Sequence, residues 1–423
     1  MQFGILLFLV VAAVWTAKGS QGCVGSPEVL ALAKSTDEFA MNMYKKQWEQ
    51  NPNGNIFFSP ASISIALGML FEGAQDATAA EIKETAFPQI ASYEDVAAAF
   101  SCLMEQINRP GRTFELDTVN AVFLESRLTL RERFMNTVLG DYKAQAVKKA
   151  FVEAPEESRV EINEWVAEQT RQKIRDLISE GSITVDTLMV LVNAIYFKGT
   201  WKTTFKQDQT TGVSFLKLTD EAGSATGNVK LMQFNVDSSD SKKYFTYAED
   251  NEVNVQILGL PYKEDELTMY IILPKTRNGL AEVEPKLDGV TLRRLIGQTQ
   301  PRKLGYVGIP KLKILHSPPL KKILKDLGIE KVFSPGASLR GIADAPNLYI
   351  SDAVHKAFIE VNEEGTEAAA ATALIGVGYS LQIDPIPTFR ADHPFFFAIQ
   401  HNPTKTILFA GRFVDPSTAE DTE

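Results

Sequence analysis

The sequence predicts an α+β fold, on three observations. Capped segments of helical period fall mostly in the first half, apolar runs of strand length recur from the middle to the end, and no linker separates them. A chain of 423 residues exceeds the size at which single cores usually stop growing, about 250 to 300 residues. It nevertheless has no low-complexity tract, internal repeat or Pro/Gly/Ser-rich bridge, so residues 20–423 are expected to form one large domain. A hydrophobic fraction of 44% supplies a substantial core.

Taken in order, Gly4 to Val14 is a short apolar stretch followed by Ala17-Lys18-Gly19, a small-x-small pattern. Residues 1–19 therefore read as a secretory signal peptide, with only the terminal amine as its positive end, and the run is too short for a membrane span. The expectation is a secreted, extracellular protein with no membrane association. Removing residues 1–19 takes away Lys18 and no acid, so the formal charge goes from -10 to -11. This balance argues against nucleic-acid binding. Cys23 and Cys102 form a single possible pair, which an oxidising compartment permits; two free thiols, one of them buried, fit the sequence nearly as well.

Ser59-Pro60 reads as a helix cap followed by proline at the first helical position, with Ile63, Leu67, Leu70 and Phe71 as an apolar stripe behind it. Ser158-x-x-Glu161 reads as a capping box ahead of a second helix, whose stripe of Ile162, Trp165, Val166, Ile174 and Ile178 closes near Gly181. The run from Leu188 to Phe197 is too continuously apolar for an exposed strand and predicts a central one; Met269 to Leu273 and Thr406 to Phe409 look similar. Arg302, Lys303, Lys311, Lys313, Lys321, Lys322 and Lys325 are the one concentration of basic residues. They offer a glycosaminoglycan-like polyanion a landing surface, although a solvated face is the commoner reason for such a cluster. Residues 417–423 are polar and acidic and are expected to be a disordered tail.

The segment from Glu363 to Thr372 combines a pivot, Gly365, with small side chains at Thr366, Ala368, Ala369, Ala370, Ala371 and Thr372. An alanine run taken alone reads as helix. Gly365 at its start and the glycine-broken Leu374 to Gly378 behind it oppose that reading, and the alternating small positions suit a strand entering a sheet that has already closed. A catalytic centre finds no support. His316, His355, His393 and His401 lack metal-ligand spacing, there is no Cys-x-x-Cys, and the near matches to a nucleophile elbow (Gly336 to Arg340) and a dinucleotide loop (Gly376 to Leu381) each miss a required residue. Neither a metal nor a cofactor is expected.

Several blocks, in order and at their distances, resemble the serpin family. They are Asn55 to Ser64, Asn193 to Trp201, Asp352 to Asn362, the small-residue hinge, Phe389 to Ile399 and Leu408 to Phe413. The resemblance covers about residues 33–416. It implies three β-sheets and about nine helices, a largest sheet of five strands with room for one more, and an exposed, insertable reactive-centre loop over about 363–389. It implies a monomeric inhibitor, not an enzyme, that acts on an extracellular serine protease as a suicide substrate. Counting as the family does from Glu363, the scissile bond falls at Tyr379-Ser380. Tyrosine fits a chymotrypsin-like pocket better than an elastase-like one, and the absence of Arg or Lys between Gly365 and Phe389 disfavours trypsin-like enzymes. Val377, Ala373 or Leu381 would serve elastase-like enzymes if the count slips. By matching position, Ser59, Ser62, Asn193 and His355 correspond to the family's shutter, and Trp201, Lys311 and Glu363 to its breach, where the hinge would enter. Some serpins also tie the N-terminal tail to the early helices through a disulfide. The alternative within the family is a non-inhibitory carrier, storage protein or chaperone.

Overall fold

The computed structural model of the chain describes residues 22–218, 226–235, 245–364 and 386–419. Among these lie nine α-helices and three β-sheets, the α+β architecture the sequence predicts. One sheet of five strands runs in the order Leu312–His316, Asp352–Val361, Met189–Gly199, Phe114–Glu125 and Gln145–Lys149. The apolar run ahead of Phe197 is thus the middle strand, buried along almost its whole length. The sheet with the most strands is a different one, of seven, which holds both Leu267–Pro274 and Thr406–Phe413 at interior positions. It outnumbers the five-stranded sheet because Ile56–Phe58 and Gln300–Arg302 pair onto its two edges. A four-stranded sheet includes Tyr306–Pro310 and Thr388–Arg390.

Helix Pro60–Gly73 begins as expected: the Ser59 side chain accepts from Ser62 N–H, and Pro60 fills the first turn. It is buried on every side rather than along one stripe, because it threads the core between sheets and other helices. The second expected helix differs more. It spans Pro155–Gln169, so Ser158 lies inside it, buried, and Pro155 takes the first position that the capping-box reading gave to a later residue. The helix ends where Arg171 and Gln172 adopt positive φ. Ile174 and Ile178 are nevertheless buried with Ile162 and Val166 against one face of the five-stranded sheet. Spacing gave the buried set apart from Trp165, which is half-buried at its margin; irregular backbone, not helix, carries its second half.

Cys23 and Cys102 are joined in a disulfide that closes a sequence separation of 79 and fastens the segment before helix Pro27–Gln50 to helix Tyr93–Ile107. At the other end, Ser417 is not part of a disordered tail. Residues Pro416–Ala419 form a 3-10 turn in which Asp415 accepts from the backbone N–H (2.9 Å) and hydroxyl (2.7 Å) of Ser417.

Candidate functional site: the seam of the five-stranded sheet

The middle strand and its neighbour Asp352–Val361 run parallel, in register from Asp352 opposite Val190 to Ile359 opposite Phe197, eight pairs in all. Every other pairing of these two strands is antiparallel. Parallel neighbours have their C-terminal ends together. A chain that left Val361, turned, and came back along the seam would therefore run antiparallel to both strands, the more stable way to pair. On either side of residues 365–385, Val361 ends a strand of this sheet and Thr388 begins one of the four-stranded sheet, parallel to Tyr306–Pro310. Beyond it, His393 bonds the Asp392 carboxylate (3.0 Å) and the Pro274 carbonyl (2.9 Å), anchoring the downstream flank. Gly365, Thr366, Ala368, Ala369, Ala370, Ala371, Thr372, Tyr379 and Ser380 lie outside the described residues.

At the C-terminal end of the seam, Glu363 is nearly buried and carries two bonds, from Lys311 Nζ (2.9 Å) and Thr210 Oγ1 (2.8 Å). Burial raises its pKa, but the Lys311 and Thr210 bonds outweigh burial and leave the carboxyl below its ordinary value. Trp201 lies across the same end. Its indole N–H donates to the Asn362 carbonyl at 3.0 Å, its backbone N–H to the Glu364 carbonyl at 3.1 Å, and its ring stacks on Tyr262 with centroids 4.4 Å apart. Gly199 permits that packing, since a Cβ there would come within 2.6 Å of the Tyr262 ring. The sequence thus brings Trp201, Lys311 and Glu363 together, and Thr210 joins them unforeseen.

Halfway along the seam, under the strands, Ser59, Ser62, Asn193 and His355 meet in one fully buried polar cluster. Asn193 Nδ2 donates to the Ser62 carbonyl (3.0 Å) and also reaches Ser62 Oγ and Asn120 Oδ1. The Ser59 backbone N–H donates to His355 Nε2 at 3.2 Å, so the ring proton sits on Nδ1 and is given to Asn193 Oδ1. Ser59 Oγ donates to the Leu408 carbonyl at 2.6 Å, tying the cluster to the seven-stranded sheet. Burial, then repulsion from His316, pull the His355 pKa down to about 3, against the bond to Asn193. The ring is neutral at physiological pH. Asn120, Asn193 and His355 stand directly abreast on three adjacent strands. Sequence reasoning missed Asn120. The signal was there: an amide between Val119 and the apolar run Ala121 to Leu124, opposite the amide already singled out.

Three of the basic residues singled out from the sequence already have partners. Lys311 is bound to Glu363, Lys322 to Asp326 (2.6 Å), and Lys321 Nζ donates to the Ser351 carbonyl (2.5 Å). Among the described residues no group of three His, Cys, Asp or Glu side chains is placed to hold a metal ion, and no helix is long and apolar enough to cross a membrane.

The family model described as serpin (serine protease inhibitor) matches residues 34–416. The chain is 38% identical over 395 residues to the leukocyte elastase inhibitor of Equus caballus, covering 91% of this chain and 99% of that protein. It is 37% identical to serpin B8 of Homo sapiens, again covering 91% and 99%. Among solved structures, uncleaved ovalbumin matches with a TM-score of 0.80 at 30% identity, covering 91% of this chain and 100% of that one. Human thyroxine-binding globulin complexed with thyroxine matches with 0.78 at 29%, covering 92% and 99%. With a family model matched over most of its length and relatives covered almost end to end, this chain belongs to the serpin family of serine protease inhibitors, an inhibitor rather than an enzyme.

Proposed function

We propose that the protein is secreted and inhibits a serine protease as a suicide substrate, acylated at Tyr379 and trapped when residues 366–379 enter the seam as a new strand. The observation that carries this reading is the parallel pairing of Asp352–Val361 with Met189–Gly199, the place where a returning chain gains two antiparallel ladders for the one it opens. Fourteen residues, extended, reach about 46 Å, enough to drag an attached enzyme toward the far end of the sheet. Replacing one ladder by two adds a net of about one ladder, about ten bonds, which at a net 0.5 to 1.5 kcal/mol each is on the order of 5 to 15 kcal/mol. The uncut form is then held by kinetics, not by its lowest free energy. Ser59, Ser62, Asn193 and His355 act as the shutter of the seam, with Trp201, Lys311 and Glu363 as its breach. Secretion is supported by the Cys23–Cys102 disulfide, which needs an oxidising compartment.

Tyr379 favours a chymotrypsin-like enzyme. Relatives named leukocyte elastase inhibitor favour an elastase-like one, with Val377, Ala373 or Leu381 as other cut positions. The carrier alternative has its own support in the likeness to a globulin solved with thyroxine. Incubation with chymotrypsin, an elastase and trypsin separates these readings. A detergent-stable complex with release of a peptide beginning at Ser380 is expected with chymotrypsin and none with trypsin. Cleavage without a complex by every enzyme would overturn the inhibitory reading.

A further inference from the structure

We propose that a cleft on the opposite side of helix Pro60–Gly73 from its Ser59 end binds a small ring compound carrying several oxyanions, of the sulfate or phosphate ester class. The cleft has a volume of about 730 Å3 and lies between the C-terminal end of that helix, the start of helix Glu132–Gly140 and the loop at Arg340. Arg131, Arg133 and Arg340 line it. Among the described residues none of the three has a carboxylate partner, whereas nine other arginines do. In a chain of net charge -10, where acids outnumber bases, three guanidiniums converging on a cleft lined by two carboxylates, one of them Glu72 within the field of Arg133, leave positive charge over and mark a place for an external anion.

The frame that holds them is rigid. Arg131 Nε donates to the Arg340 carbonyl (2.5 Å), its backbone N–H to the Ile342 carbonyl (2.9 Å), and Gly341 N–H to the Gly73 carbonyl (3.0 Å). Gly341 packs so closely that a Cβ would stand 2.8 Å from Gly73 Cα, which fixes where Arg340 projects from. The two acids of the cleft are already engaged: Glu72 accepts from the Tyr142 hydroxyl and Asp76 from the Ser338 hydroxyl, both at 3.0 Å. Burial holds the Glu72 carboxyl above its ordinary pKa, against the Tyr142 bond and the Arg133 charge. Tyr93, stacked on Phe71, and the buried Phe134 add apolar surface suited to the face of a saturated ring. The compound recognised is therefore a compact saturated ring bearing two or more oxyanions.

The test is calorimetric titration of the full chain with sucrose octasulfate and, separately, inositol hexakisphosphate, at low and high salt. At least one probe is expected to bind, more weakly at high salt, with affinity reduced about tenfold or more in Arg133→Glu and in the pair Arg131→Gln with Arg340→Gln. The pair Lys322→Gln with Lys325→Gln should change it by less than about twofold. Arg133 makes no hydrogen bond among the described residues, so an unchanged melting temperature for Arg133→Glu certifies its fold. Preference for one probe identifies the ester class. Failure of both probes to bind, or equal losses in the arginine and lysine variants, would overturn the proposal.

Discussion

Asn193 joins the seam to the core beneath it. Its amide touches Ser62, Asn120 and His355, and every one of those groups is buried away from water, so removing any partner leaves an orphan. Asn120→Ala should cost about 1 to 3 kcal/mol and lower the melting temperature by roughly 1 to 4 °C, read by thermal unfolding. A melting temperature equal to that of the parent would show that Asn120 is a bystander. His355 makes a separate prediction about pH. Its pKa is about 3 in the fold against an ordinary 6.5, so the unfolded chain binds the proton more readily between those values. The stability gained by keeping the ring neutral is complete above pH 6.5 and is lost as pH falls toward 3. The urea midpoint of the parent should fall more steeply across that window than that of His355→Gln; parallel curves would contradict this. His355 and Asn193 were legible in the sequence only through the family blocks that surround them. Asn120 sits in no such block, and an isolated amide in an apolar run carries no meaning until pairing places it beside another.

At the scale of elements, the strands were more legible than the helices. A continuously apolar run can only be an interior strand or a buried helix, and its length decided for Met189–Gly199. Residues 158–181 were harder, since apolar spacing survives in irregular backbone: Ile174 and Ile178 reach the core after the chain has left the helix at Gln169. Parallel pairing across the seam was invisible beforehand, because it depends on strands distant in the chain. The hinge belongs to this scale too. Thr366→Arg should turn the inhibitor into a substrate, because a guanidinium on the inward face of an entering strand has nowhere to be solvated. The loop would be cut and the enzyme recovered; a persistent covalent complex in gel electrophoresis would refute it. Tyr379→Arg should shift the association rates from chymotrypsin toward trypsin, and an unchanged ranking would show that the bait residue lies elsewhere.

For the whole molecule, the proposed mechanism requires a chain folded short of its most stable arrangement. The strands that flank residues 365–385 belong to different sheets, Asp352–Val361 to the five-stranded one and Thr388–Arg390 to the four-stranded one. The Cys23–Cys102 link belongs to this scale as well, and denaturing reduction of the mature protein should add two hydrogens to its mass; an unchanged mass would exclude the bond. The most direct test of the stored energy is the melting temperature before and after a single cut between Gly365 and Phe389. A net gain on the order of 5 to 15 kcal/mol, over the unfolding entropy of a chain this long, predicts a rise of roughly 6 to 18 °C in the cut form. A cut form that melts at or below the temperature of the intact protein would contradict the account.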